Sequence, residues 1–137
     1  MDKELNLKFR EVVVSNAQVK ALVATDVEIV EAPGTGKVHV LLAAQLTNRF
    51  GTAAFTWANS DHGITVGNAS FDSDAEAQAF IEAGSRNSVE LRVPGGSTPL
   101  TENAAINLTA SGTGEPAAGD GDLVVRVLYA TVEVTQA

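Results

Sequence analysis

The sequence predicts an all-β protein, a β-sandwich of jelly-roll type with one short helix over about residues 73–83. Three observations lead there. β-Branched and small residues come in short runs punctuated by Gly, Pro, Asn and Asp, the pattern of many strands joined by turns. Several of these runs alternate apolar and polar residues with period two, as half-buried strands do. A length of 137 residues without cysteine fits one domain, residues 1–137, whose core holds without disulfides.

The chain opens with Leu5, Leu7 and Phe9 on one parity and Val12 and Val14 on the other. A phase change inside one run indicates a bulge or a strand that leaves its own sheet. An N-terminal arm over residues 1–14 that pairs with a neighbouring subunit accounts for it, and so does an ordinary first edge strand with a bend. These five residues are candidate contacts to other subunits. Short strands are expected at Val19–Ala24 and Val27–Glu31. The run from Ala32 to Lys37 contains Pro33, Gly34 and Gly36, in which Pro fixes φ and Gly supplies positive φ. It is expected to join its flanking strands as a hairpin.

From Val38 onward, Val40, Leu42, Ala44 and Leu46 take one face, opposite Lys37, His39, Gln45 and Thr47. Leu41 and Ala43 interrupt the polar face, so part of it needs cover. Both join the candidate contacts, and the same need predicts a homo-oligomer, a dimer or trimer. Further strands are expected at Ala54–Trp57 and Ile64–Val66. Ser73 with Glu76 three residues later makes a capping box, and Ala77, Phe80 and Ile81 follow at helical spacing. Gly84 is expected to end that helix in the left-handed conformation. Val89, Leu91 and Val93 alternate with Ser88, Glu90 and Arg92, and Ala104, Ile106, Leu108 and Ala110 alternate as cleanly. Gly-rich loops occupy residues 95–99 and 112–122. The last segment, Leu123 to Thr135, is apolar on both parities from Val124 to Leu128, which places it at the centre of a sheet.

Chemistry has little to work with. Seventeen acidic against nine basic residues give a net charge of −8, which repels phosphate backbones and anionic lipid heads. Nucleic acid and membrane are therefore not expected partners, and no apolar run approaches the roughly 20 residues of a spanning helix. His39 and His62 are read as solvated, since no carboxylate spacing marks a metal site. Asp120-Gly121-Asp122 has part of a calcium loop but reads as a turn into the last strand. Gly34-Thr35-Gly36-Lys37 lacks the upstream glycine and following hydroxyl of a phosphate loop. Catalytic, cofactor-binding and metal-ligating residues are each expected to be none, and the protein is expected not to be an enzyme. Trp57 beside Phe55 is either core or, in a carbohydrate-binding reading, a stacking platform.

Two stretches carry a resemblance. Val30-Glu-Ala-Pro-Gly-Thr-Gly-Lys-Val-His-Val40 resembles a hairpin common in small virion proteins of tailed bacteriophages. Glu102 to Leu108, followed by Gly114-x-Pro116-x-x-Gly119 and the run from Asp120 to Tyr129, resembles the end of the same domains. In outline the similarity runs from about Val19 to the C-terminus, and residues 49–87 follow no recognised pattern. The resemblance implies a capsid decoration or cement protein made in the host cytoplasm. Its partners are then the major capsid protein and further copies of itself on the outside of the virion. A tail- or fibre-associated β-sandwich is the alternative. Neither stretch is catalytic, so no site residues carry over.

Overall fold

A computed structural model describes residues 6–58, 61–94 and 99–134. Among these, eight strands and two helices follow in the order β1 (Leu7–Val14), α1 (Asn16–Val19), β2 (Val27–Val30), β3 (Lys37–Arg49), β4 (Gly63–Val66), β5 (Ala69–Ser70), α2 (Asp74–Ile81), β6 (Asn87–Glu90), β7 (Ile106–Ser111) and β8 (Asp122–Glu133). They form two four-stranded antiparallel sheets, β1-β8-β3-β6 and β2-β7-β4-β5. Each strand pairs with its mirror in chain order: 1 with 8, 2 with 7, 3 with 6 and 4 with 5. That wiring is a long strand-paired ribbon rolled over on itself, the jelly roll.

The core lies between the sheets. β8 contributes Leu123, Val125, Val127 and Tyr129 from one parity, and β7 answers with Ile106, Leu108 and Ala110. As its two-sided apolar run predicts, β8 is central, flanked by β1 and β3. α2 closes one side, its apolar stripe Ala77, Phe80 and Ile81 buried. Asn48, itself buried, donates from Nδ2 to the Phe80 and Ile81 carbonyls at 2.9 and 3.2 Å. Those carbonyls belong to the last turn of α2, where no intrahelical donor reaches them, so the bond ties β3 to the helix end.

Several expectations need correction. Residues 32–37 do not make a hairpin, because β2 and β3 belong to opposite sheets. The turn residues reverse the chain, but the chain crosses the sandwich as it turns. Val19–Ala24 is not a strand. Ser15 caps a short helix there, accepting from the Gln18 amide while Gln18 Oε1 accepts from the Ser15 amide. This reciprocal cap outweighs the β propensity of the valines. Ala54–Trp57 forms only an isolated bridge, Thr56 to Ala117. At α2, Ser73 accepts from the Glu76 amide, and Glu82 is the C-cap with φ −82° instead of a left-handed Gly84.

β3 carries the correction with most consequence. Leu41 pairs with Tyr129 and Ala43 with Leu128, so Leu42 is an extra residue and the register shifts. A bulge of this kind inverts parity. His39 and Leu41 point inward before it, and Ala44, Leu46 and Asn48 after it. Leu41 is thus a core residue, 7% exposed, and Leu42 is the exposed one. β1 has no bulge: its register to β8 is continuous from Leu7↔Ala130 to Val14↔Leu123. The phase change in its sequence reflects a regular strand whose first half is apolar outward and whose second half is apolar inward.

Candidate functional site

The outer faces of the two sheets differ in chemistry. On β2-β7-β4-β5 the residues opposite the core are polar: Glu28 beside Asn107, and Thr65 beside Thr109 and Ser70. On β1-β8-β3-β6 the outer face runs in rungs. Val38 and Val132 form the first, then Val40, Ala130 and Leu7, then Ala43, Leu128 and Phe9. The next rung is polar across all four strands, Glu11, Arg126, Gln45 and Glu90. Arg126 fixes it, donating from Nε to Glu11 at 2.8 Å and from Nη1 to Gln45 and Thr47 at 3.2 and 3.1 Å. Val13, Val124, Thr47 and Ser88 complete the face.

Phe9 is 64% exposed, Leu7 53% and Val13 50%. With a strand spacing near 4.8 Å and same-face residues near 6.8 Å apart, the three apolar rungs span a footprint of roughly 300 Å², within which Val38 and Ala130 are buried, 4% and 1% exposed. Isolated exposed apolar residues need no explanation, but Leu7, Phe9 and Val132 are exposed together around the half-buried Val40, Ala43 and Leu128, a contiguous apolar patch on one face. A shallow depression of about 280 Å³ lies at its polar margin, lined by Phe9, Ala43, Leu128, Gln45, Glu90 and Arg126 among others. The patch therefore has an apolar centre, a concavity and a charged rung that fixes orientation.

Of the candidate contacts, Leu7, Phe9 and Ala43 meet on this face. Val12, Val14 and Leu41 do not: they pack into the core from the opposite parity. Leu5 lies outside the described residues. Leu128, Ala130, Val132, Val38 and Val40 belong to the face but are not singled out by the sequence reading. Their signal is present, since Val124–Leu128 is apolar on both parities, but that pattern is the same whether the second face is covered or bare.

The other candidate chemistry resolves into structure. Trp57 and Phe55 are buried in the core, so neither offers a stacking platform. The Trp57 ring stacks on His62 at 3.8 Å between centroids and 12° between planes, and donates from Nε1 to the Gly114 carbonyl at 2.9 Å. His62 is fully buried, contrary to the solvated reading, and its Nε2 donates to the Ala58 carbonyl at 2.6 Å. Its Nδ1 has no hydrogen-bond partner, and the Asp61 carboxylate at 3.8 Å is too far to serve as one. His39 is half-buried, bonded to the Glu31 carbonyl and the Thr131 hydroxyl and packed edge-on against Tyr129.

Asp120 accepts from the Thr52 and Ala53 amides and the Thr52 hydroxyl at 2.6–3.0 Å. These bonds, led by that from the hydroxyl, hold its pKa down at about 2. Asp122 pairs with Arg49 at 3.2 Å. The two aspartates thus fasten separate stretches of chain. Among the described residues no group of three or more His, Asp or Glu side chains converges as a metal site.

Comparison with known proteins gives no match: no family model fits the chain, and no curated protein or solved structure is significantly similar to it.

Proposed function

We propose that this chain is a structural virion protein that decorates and stabilises the outside of a tailed-phage capsid by bridging major capsid subunits. The observation that carries the proposal is the apolar outer face of β1-β8-β3-β6, set against the polar outer face of the opposite sheet. The two sequence stretches that resemble small phage virion proteins supply the class of partner. The fold alone supplies none, because jelly rolls serve many functions.

The chemistry of the face suits this role. An apolar footprint of roughly 300 Å², part of it already covered within the monomer, suits the centre of a standard interface, which buries about 800 Å² on each side. One such contact is modest in strength. Repetition on a lattice multiplies it through effective concentration. The net charge of −8 steers the protein towards basic rims on a shell.

The test is binding of the purified protein to capsids that lack it, by co-sedimentation and then electron cryo-microscopy. Saturable binding at fixed lattice positions, with Leu7, Phe9 and Leu128 facing the shell, is the expected result. Failure to bind, with the native protein located at the tail, moves the assignment to a tail or fibre component. Absence from the particle overturns the virion role.

A further inference from the structure

Beyond the outer face, the sheet β1-β8-β3-β6 ends in two edges of opposite character. On β6, the Leu91 amide donates to the Ala44 carbonyl at 2.9 Å. By antiparallel alternation Val89 also bonds to β3, while Ser88 and Glu90 turn their amides and carbonyls away from it. Arg92 turns the same way and exchanges two backbone bonds with Ser70, which closes the edge at that point. Among the described residues no strand pairs with Ser88 or Glu90 on their free side.

Beside them lies a groove of about 560 Å³ between β6 and α2. Phe71, Phe80 and Val89 line it, and Phe71 and Val89 are only partly buried. Its acidic lining is Asp72 and Glu76, with Glu90 at its edge on the outer parity of β6. Arg92, also in the lining, sits 3.6 Å from Asp72, and among the described residues no ion pair engages Glu76 or Glu90. The groove is thus the uncovered side of the core with unbalanced negative charge above it.

The β1 edge is its complement. Lys8 and Arg10 occupy the inward parity, opposite Tyr129 and Val127 on β8, yet both are exposed. Inward-pointing charges protect an edge strand against pairing with its own kind, since two β1 edges brought together would oppose these cations. Placed beside β6 of another molecule, the same cations lie over the acidic groove. The strand directions allow this. Neighbours in β1-β8-β3-β6 alternate in direction, so a sheet continued past β6 starts with a β1 antiparallel to it. Register is preserved too, because inward residues of the added strand remain inward.

We propose that the β1 edge of one copy docks along the β6 edge of a second copy, with Lys8 and Arg10 over the groove rimmed by Asp72 and Glu76. The contact is head-to-tail, so it closes a ring or grows a filament according to the rotation between copies. It uses a surface distinct from the outer face assigned to the capsid.

Sedimentation velocity of the full chain at rising micromolar concentrations tests it. The wild type is expected to associate. Arg10→Glu and Glu76→Lys are each expected to weaken association by more than about tenfold, since like charges facing across an interface cost more than that factor. The double variant Arg10→Glu with Glu76→Lys is expected to restore it. Circular dichroism checks that each variant folds, and Lys8→Glu with Asp72→Lys serves as a second pair if one does not. A wild type that stays monomeric overturns the proposal, as does an oligomer that neither reversal weakens or the double reversal does not restore. Leu128→Asp separates the two surfaces: it is expected to lose capsid binding and keep the oligomer.

Discussion

Replacing Phe9 by serine separates what the ring does for the fold from what it does for docking. Complete burial of a phenylalanine side chain is worth about 1.5–3 kcal/mol. Phe9 is 64% exposed, so about one third of that, roughly 0.5–1 kcal/mol, is realised within the monomer. The remaining two thirds, roughly 1–2 kcal/mol, is released only when a partner covers the face. At 1.4 kcal/mol per tenfold, Phe9→Ser is expected to weaken capsid binding by about 5- to 30-fold. Urea denaturation gives the first quantity, and titration of capsids lacking the protein gives the second. Leu108→Ala is the control, since Leu108 is fully buried on the facing sheet and its truncation costs about 2–5 kcal/mol of stability. A Phe9→Ser protein that loses as much stability as the control, or binds capsids as tightly as the wild type, refutes the reasoning.

Three further outcomes are expected. Asn16 donates from Nδ2 to the Gly119 and Gly121 carbonyls at 2.9 and 2.8 Å, joining the first helix to the loop before β8. Asn16→Ala is expected to cost about 1–3 kcal/mol in denaturant titration, because both bonds go and neither carbonyl gains a partner. A Cβ added at Gly119 overlaps the ring of buried Phe55, so Gly119→Ala is expected to destabilise by about 1–3 kcal/mol through overpacking, measured the same way. Asp120 titrates at about 2 in the folded chain and near 3.8 otherwise, so its contribution to stability is complete above about pH 4 and lost as pH falls through 2. Melting temperatures measured across that range are expected to fall less steeply in Asp120→Asn.

What the sequence made legible was local, and what it hid was pairing. β7 and β8 could be read because alternation and a two-sided apolar run each have one physical meaning in a sheet. The short helix at Asp74 could be read because Ser73 supplies an acceptor that helix starts need. The Ala32–Lys37 turn was legible as a turn, yet nothing in its residues states that the next strand joins the other sheet. That choice belongs to the 1–8, 2–7, 3–6 and 4–5 pairing, which joins segments far apart in the chain. The β3 bulge left the run Leu41-Leu42-Ala43-Ala44 apolar on both parities because the strand changes sides there, yet that run reads equally as a face that needs cover, which is how the sequence presented it. The Ser15–Gln18 cap was present in the sequence but lay beside Val19, Leu22 and Val23, whose strand character masked it. Of the candidate contact face, Leu7 and Phe9 were legible from an alternation out of phase with Val12 and Val14. Leu128 and Ala130 were not, since only three-dimensional register puts them beside that strand.

The polarity of β1 is the strongest sign that the bare face is used. An isolated sandwich gains little from Leu7 and Phe9, each more than half exposed, while Lys8 and Arg10 stand on the side that faces the core further along the strand. Exchanging the two sets would improve solubility and leave the ladder to β8 intact. The opposite sheet shows that this sequence can supply strand-forming polar residues for an outer face, as Thr65 and Thr109 do. The polar rung Glu11, Arg126, Gln45 and Glu90 adds a second constraint. It interrupts the patch with fixed donors and acceptors, so a partner must match charge as well as apolar shape, and indiscriminate stacking of two such faces is discouraged. An arrangement that is costly for the monomer and selective about what covers it fits a surface built to be covered.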